Sequence, residues 1–162
     1  MTLRAVVVGA GWAGEGHTVA LRDSGVDVVA VCGRTAEPAR AMADRMGIGE
    51  ARTAWRSALE EFQPDVVAIA TPAAAHEEIA VAATSRGCHV LCDKPLGRNA
   101  GEASRMLAAA QRAGVKHAYG ATSRYAAPLL HARSLVDRGV IGDVTEVEVG
   151  VHLDLPPLMP FL

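Results

Sequence analysis

The chain has 162 residues, of which 50% are hydrophobic and 4% aromatic, and its formal net charge is −2 at pH 7. This length fits one domain, or one domain with part of a second. The mixed charges give no basic surface for nucleic acid, and no apolar run is long enough to span a bilayer. The first apolar run is short and ends in glycines, unlike a signal peptide. We therefore expect a soluble cytoplasmic protein.

A short apolar strand at the start of the chain runs directly into a glycine motif. Gly9, Gly11 and Gly14 have the spacing G-x-G-x-x-G, with Trp12 and Ala13 between the last two. The first glycine of such a motif permits a tight turn, the second lets the backbone approach a pyrophosphate, and the third lets a helix pack close to the strand. The start of that helix attracts phosphate. The motif predicts dinucleotide binding, with a plain structural turn as the alternative.

Strands and helices then alternate along the chain, which is typical of a parallel sheet with crossover helices. We predict strands at residues 3–8, 26–32, 51–53, 65–70, 88–92 and 115–119. We predict helices at residues 14–23, 37–46, 57–61, 76–86 and from residue 100 onward. Asn99 caps the last of these helices with Glu102 as a capping-box variant, and Ala103, Leu107 and Ala110 mark its inward face. The fold class is α/β, a Rossmann-type doubly wound parallel sheet complete by about residue 120.

The three cysteines do not suggest a disulfide framework. Cys88 and Cys92 lie in one predicted strand, where residues four apart are separated by about 13 Å. They cannot share a bridge or a metal ion while that strand persists. We expect these two and Cys32 to be small buried residues, and we expect no metal site.

After residue 120 a second unit is predicted to begin. The pattern predicts a helix over residues 128–138 and a strand over residues 144–151, followed by an apolar, proline-rich tail. One helix and one strand cannot make a second core. We therefore expect residues 1–120 to form the dinucleotide-binding domain and residues 121–162 to form the start of an incomplete α+β domain. A homo-oligomer or a partner chain is expected to form through residues 121–162.

The end of the second strand bears on the choice of cofactor. NAD-specific sites usually place Asp or Glu there, about 20 residues past the glycines, whereas this chain has Gly33, Arg34 and Thr35. Arg34 can pair with a 2′-phosphate and stack on adenine, with Thr35 donating a hydroxyl. This favours NADP(H), with NAD(H) possible and a solvated arginine as the alternative. The missing carboxylate also argues against S-adenosylmethionine chemistry.

A second candidate site follows the fifth strand, where Asp93, Lys94 and Pro95 occur in sequence. Ligands of open α/β sheets bind at the carboxyl ends of strands. A lysine there can donate to a substrate hydroxyl or carbonyl and transfer a proton. Asp93 either pairs with Lys94 or turns away to fix the loop, and Pro95 restricts the local backbone. The alternative is a surface loop without a chemical role.

The glycine motif, Thr71-Pro72 with His76, and the segment around Lys94 occur in an order that resembles the Gfo/Idh/MocA oxidoreductase family. The resemblance extends over roughly residues 3–151. It implies an NAD(P)-dependent dehydrogenase or reductase that acts on a sugar, cyclitol or related polyol. It also implies that Lys94 is the catalytic lysine beside the nicotinamide. Thr71, Pro72 and His76 are implied to lie near the cofactor ribose, and Arg124 matches an arginine frequent at the domain junction.

Two departures from the family pattern affect these expectations. Asp93 replaces a glutamate, one methylene longer, which implies weaker activity. Family members are about twice as long, and their second domain supplies the substrate pocket with a catalytic histidine; His152 lies too early to be that residue. We therefore expect the cofactor-binding half of an oxidoreductase. The alternative is a non-catalytic dinucleotide-binding sensor or subunit whose partner contacts the strand at residues 144–151. The remaining histidines are expected to be packing or surface residues: His17, His117 and His131.

Overall fold

A computed structural model describes residues 1–150 of the chain. Within them, six parallel strands form one sheet in the order β3-β2-β1-β4-β5-β6. The strands are β1 (Arg4–Val8), β2 (Asp27–Cys32), β3 (Glu50–Arg52), β4 (Val66–Ile69), β5 (His89–Cys92) and β6 (His117–Tyr119). The direction of winding reverses between β1 and β4, which is the topological switch point of a doubly wound sheet. The predicted Rossmann-type fold is confirmed.

The connections between the strands are helical. The helices in the described residues are α1 (Trp12–Asp23), α2 (Ala36–Met46), α3 (Trp55–Phe62), α4 (His76–Thr84), α5 (Ala100–Ala113) and α6 (Ala127–Asp137). Short 3-10 turns cover Ala73–Ala75 and Thr122–Tyr125. The ends of the elements up to residue 120 differ from the predicted ends by two residues or fewer. The difference arises because backbone pairing, rather than the apolar run, decides where an element stops.

Side chains alternate between the two faces of the sheet. On β1, Val6 and Val8 pack with residues of α3, α4 and α5, whereas Ala5 and Val7 pack with residues of α1 and α2. All four side chains are buried, as is typical of a parallel strand covered on both faces. The helices therefore fix the central strands firmly, and the loops after the strands are presented at one edge.

The prediction that the three cysteines are small buried residues is confirmed. Cys32, Cys88 and Cys92 are buried free thiols. Burial raises the pKa of Cys32 and of Cys92 to about 12. Burial raises the pKa of Cys88 as well, so all three thiols stay protonated at neutral pH and act as small apolar side chains.

Helix α5 begins as predicted but differs in two details. Asn99 Oδ1 accepts from the N–H of Glu102 at 3.0 Å, which is the predicted cap. The carboxylate of Glu102 accepts from the N–H of Arg98 at 2.8 Å, one residue before the cap position that a capping box uses. Leu107 is 44% exposed rather than inward, beside an apolar groove next to β6. The inward stripe lies one residue away on the helix and comprises Glu102, Met106, Ala109 and Ala110.

The chain divides into two compact units, Met1–Ala121 and a second one that begins at Thr122. In the second unit α6 forms, but residues 144–150 adopt no regular structure. The predicted strand is wrong for these residues, because alternation of side chains makes no strand without a partner for the backbone N–H and C=O groups. Val151 and the residues after it, including His152, lie outside the described residues. No helix in the described residues has the length and apolar character needed to cross a membrane.

Candidate functional site

The loops after the central strands lie side by side at the carboxyl edge of the sheet. The ladder between β1 and β4 continues one residue further, where the N–H of Ala70 donates to the carbonyl of Val8 at 2.7 Å. Between β4 and β5, the N–H of Asp93 donates to the carbonyl of Ile69 at 2.9 Å. Gly33 after β2 and Asp93 after β5 are separated by three strand spacings, about 14 Å. The edge therefore suits an extended ligand.

Packing requires the first and third glycines of the motif. Gly9 has a φ of +126°, and a Cβ there would lie 2.3 Å from the carbonyl oxygen of Ala70. A Cβ on Gly14 would lie 2.0 Å from the carbonyl oxygen of Gly9. Both distances are far below van der Waals contact. These glycines allow the tight turn and the close approach of α1, in the roles that the motif predicts.

The second glycine is different, because it faces open space. A Cβ on Gly11 would meet no atom within 4 Å. The first hydrogen bond of α1 runs from the N–H of Glu15 to the carbonyl of Gly11 at 3.1 Å, so the N–H groups of Trp12, Ala13 and Gly14 precede it. Trp12 itself is 80% exposed. Open backbone at the positive end of a helix fits a phosphate group.

The turn after β2 packs against the glycine loop. A Cβ on Gly33 would lie 2.9 Å from the Cβ of Ala39 in α2 and 3.2 Å from the Cβ of Ala10. Arg34 and Thr35 follow and are exposed. Within residues 1–150, the guanidinium of Arg34 forms no ion pair and the side chain of Thr35 makes no capping bond to α2. Both groups are therefore free to bind a ligand beside the glycine loop.

The loop after β4 contains a buried hydroxyl group without a partner. Thr71 Oγ1 is enclosed, yet it forms no hydrogen bond within the described residues. Leaving such a group unsatisfied costs about 1–3 kcal/mol. Thr71 and the exposed Pro72 directly follow the strand that borders the switch point. A ligand hydroxyl placed there would satisfy this atom, which fits the cofactor ribose predicted for the segment.

His76 joins two of these loops. Its side chain has 0% exposure, its Nε2 lies 2.7 Å from the carbonyl oxygen of Thr71, and its Nδ1 lies 3.0 Å from that of Pro95 and 3.3 Å from that of Leu96. Both ring nitrogens therefore face carbonyl oxygens of the protein, and the place of His76 near the cofactor ribose stays a prediction. Its contacts join residues 20 positions apart, which no local motif reveals.

Lys94 lies at the carboxyl end of β5 and is exposed. It forms no ion pair within the described part of the chain, and the Lys94–Pro95 peptide bond is cis. Asp93 turns away instead, since a Cβ on Gly120 would lie 3.1 Å from its Oδ1. Burial lowers the pKa of His17 in α1, and the charge of Asp93 opposes that shift. No pattern in the sequence indicates that His17 lies close to this loop, because its position depends on how α1 packs.

Arg124 occupies the 3-10 turn Thr122–Tyr125 at the start of the second unit, and its side chain is exposed. Its assignment to a domain junction therefore stays a prediction.

A parallel sheet with a G-x-G-x-x-G turn at its switch point defines a dinucleotide-binding Rossmann domain. The family model described as "Oxidoreductase family, NAD-binding Rossmann fold" matches residues 3–121. The chain belongs to this family, Gfo/Idh/MocA, as the resemblance of its motifs indicated.

Several relatives are similar to this chain over most of its length. Inositol 2-dehydrogenase from Salmonella typhimurium strain LT2 is 35% identical over 147 residues, which cover 88% of this chain and 44% of the relative. An oxidoreductase domain protein from Kribbella flavida is 38% identical with a TM-score of 0.80, covering 88% of this chain and 41% of that one. GenD2 from gentamicin A biosynthesis, solved with NAD, is 34% identical with a TM-score of 0.79, covering 86% and 40%. The chain therefore spans less than half the length of these relatives.

Proposed function

We propose that the chain binds a nicotinamide dinucleotide along the carboxyl edge of its sheet, with the pyrophosphate at Gly11 and the nicotinamide beside Lys94. The observation that carries the proposal is the contrast within the glycine motif. Backbone atoms occupy the space beside Gly9 and Gly14, and only Gly11 of the three faces open space. The loop thus leaves room at the one position where a pyrophosphate approaches the backbone.

The proposed ligand is NADP(H), with NAD(H) as the alternative. Arg34 and Thr35 carry this preference, because both are exposed beside the glycine loop and residues 33–35, directly after β2, include no carboxylate to repel a 2′-phosphate. A guanidinium binds phosphate through paired hydrogen bonds and stacks on planar rings. The related GenD2 was solved with NAD, so the preference for NADP(H) depends on the residues of this chain alone.

The proposed role is that of the cofactor half of a dehydrogenase or reductase that acts on a sugar, cyclitol or related polyol. The similarity to an inositol 2-dehydrogenase supports this substrate class. When bound, the nicotinamide supplies or accepts the hydride. Lys94 gives its proton to the substrate oxygen as a carbonyl becomes an alcohol, and its neutral amine takes the proton in the reverse direction. Thr71 offers its hydroxyl to the ribose and so orients the nicotinamide.

Calorimetric titration of the chain with NADPH and, separately, with NADH tests the proposed ligand. We expect NADPH to bind about tenfold more tightly, the difference that one charge-assisted phosphate contact supplies. Equal affinities would remove the role of Arg34 and leave the chain without a preference between NADP(H) and NAD(H). No binding of either ligand by the folded chain would overturn the proposed function.

Selective acetylation tests the place of the nicotinamide. The chain contains only two lysines, Lys94 and Lys116, so mass spectrometry can follow the first with the second as an internal reference. We expect NADPH to slow acetylation of Lys94 relative to Lys116. The fragment 2′-phospho-ADP-ribose, which lacks the nicotinamide, should give no such protection. Equal protection by both ligands would show that Lys94 does not face the nicotinamide.

A further inference from the structure

The segment after β5 is held by buried groups along its length. At its start, the N–H of Asp93 donates to the last carbonyl of β4 at 2.9 Å. In its middle, Nδ1 of His76 lies 3.0 Å from the carbonyl oxygen of Pro95. At its end, the carboxylate of Glu102 accepts from the N–H of Arg98 at 2.8 Å. Lys94 therefore lies within a backbone segment that is fixed on both sides.

Of the groups that hold this segment, His76 also reaches the loop after β4. Its Nε2 lies 2.7 Å from the carbonyl oxygen of Thr71, whose own hydroxyl lacks a partner in the described residues. One imidazole ring thus links the loop that carries the free hydroxyl to the segment that carries Lys94. The ring is fully buried, so it can act on a ligand only through these two loops.

We propose that His76 is a positioning residue, which fixes Lys94 relative to Thr71 so that both side chains meet the nicotinamide half of the same ligand. The inference depends on the proposed function, since it assigns His76 to that site. Without the link, ligand binding would have to order the parts of the two loops that lie beyond the hydrogen bond between Asp93 and Ile69, which costs conformational entropy. The adenine and phosphate half is built from the loops after β1 and β2 and does not involve His76.

The variants must keep the fold. Replacing His76 by alanine removes a buried ring and is expected to destabilise the whole domain. His76→Asn and His76→Gln are better suited, because each amide keeps one of the two ring contacts. The amide nitrogen of asparagine occupies roughly the place of Nδ1 and can donate to Pro95, whereas that of glutamine reaches the place of Nε2 and can donate to Thr71.

The test compares the affinities for NADPH and for 2′-phospho-ADP, a fragment that lacks both the nicotinamide and the ribose assigned to Thr71, in the wild type and both variants. We expect His76→Gln to weaken NADPH binding about three- to tenfold, the effect of losing one polar contact to the segment that carries Lys94. His76→Asn should bind NADPH more tightly than His76→Gln, because it keeps the contact to the segment that carries Lys94. The affinity for the fragment should change less than about twofold in both variants. Equal losses for the two ligands, unchanged NADPH binding, or tighter binding by His76→Gln would overturn the proposal.

Hydrogen exchange of the free chain separates this inference from the proposed function. The amide of Asp93 should exchange about tenfold faster in His76→Gln than in the wild type, because the segment opens more often. The amide of Val7 in β1 serves as the control and should not change. If the wild type binds neither ligand, the proposed function fails, and with it the assignment of His76 to a ligand site. Unchanged exchange at Asp93 would show instead that His76 does not hold the segment, whatever the chain binds.

Discussion

The two sides of the carboxyl edge are built by different means. On the side of β1 and β2, backbone atoms form the site: Gly9 and Gly33 bring the loops close together, and Gly11 leaves open space between them and solvent. On the side of β4 and β5, buried side chains hold the loops, chiefly His76 and Glu102. In the proposed complex the first side would bind what every dinucleotide shares, its phosphates. The second side positions individual groups, which a reactive end of a ligand requires.

The comparison also shows where each side is sensitive. A backbone site fails when any side chain is added at a closely packed glycine, since there is no atom that can move aside. A site made from side chains fails when one polar partner is removed, because the other is left buried without a hydrogen bond. Substitutions on the two sides should therefore differ in whether they affect the fold or the ligand.

The largest effect should come from the packed glycines. Gly14→Ala places a methyl group 2.0 Å from the carbonyl oxygen of Gly9, and we expect it to lower the free energy of unfolding by about 3 kcal/mol or more. Gly16→Ala is the matched control on the same helix, because a Cβ there meets no atom within 4 Å. It should stabilise the chain by about 0.5–1 kcal/mol. Urea unfolding measures both, and a wild-type midpoint for Gly14→Ala would show that α1 does not pack as described.

Gly11, which faces open space, should show the opposite pattern, with a small effect on stability and a large effect on binding. Gly11→Ala adds a methyl group where the protein has free space, so the free energy of unfolding should change little. Affinity for NADPH should fall at least tenfold, by about 1.4 kcal/mol or more, because the methyl group occupies the place of the pyrophosphate. Calorimetry of Gly11→Ala against Gly16→Ala checks this. Full affinity in Gly11→Ala would remove the glycine loop from the binding site.

A third substitution, on the side of β1 and β2, tests whether Arg34 contacts the 2′-phosphate. Arg34→Ala should weaken NADPH about tenfold and NADH less than about twofold, since only the former carries a 2′-phosphate. Arg40→Ala is the control, because Arg40 lies nearby in α2 and pairs with Asp44 at 2.9 Å. Parallel titrations of both variants decide the question. If NADPH and NADH weaken together, Arg34 does not contact the 2′-phosphate.

On the side of β4, Thr71→Val should have effects of opposite sign on stability and binding. It removes the hydroxyl that lacks a partner within residues 1–150, so the free chain should be as stable as the wild type or up to about 1 kcal/mol more stable. NADPH should bind about threefold more weakly, because the ribose loses a hydrogen bond. Thermal unfolding with and without NADPH measures both. A destabilised free chain would mean that Thr71 Oγ1 has a partner within the protein.

The smallest effect concerns the pH dependence of stability on the side of β4 and β5, where buried side chains hold the loops. The hydrogen bond from the Arg98 side chain lowers the pKa of Glu102 below its usual value. The stability that this carboxylate contributes is therefore present above the unfolded pKa of about 4.3 and is lost as the pH falls through the lower folded value. Glu102→Gln should thus be less stable than the wild type at pH 7, with a difference that shrinks in acid. A difference that is constant from pH 7 to pH 3 would contradict this, and Glu60→Gln at an exposed ion pair provides the control.

The side of β1 and β2, which backbone atoms form, could be predicted from the sequence better than the side of β4 and β5, which side chains hold. The glycine spacing is local, and it predicts the turn at Gly9 and the open position at Gly11. The link through His76 depends on residues far apart in the sequence, so burial had to be seen before its role could be understood. The wrong strand at residues 144–150 has a related cause, because alternation describes a face of a strand and gives no information on its neighbour. The prediction that Leu107 faces inward is wrong for a simpler reason, since a shift of one residue on α5 moves a side chain from the core to the surface.

Because Trp12 is exposed beside the glycine loop, its fluorescence can be used to follow that loop. The chain has only two tryptophans, and the other, Trp55, packs against the core with the guanidinium of Arg56 4.1 Å from its ring. Replacing Trp55 by phenylalanine would leave a single emitting indole at the first residue of α1, beside the free N–H groups. A change in its fluorescence would then show directly that a ligand occupies the glycine loop, without any added label.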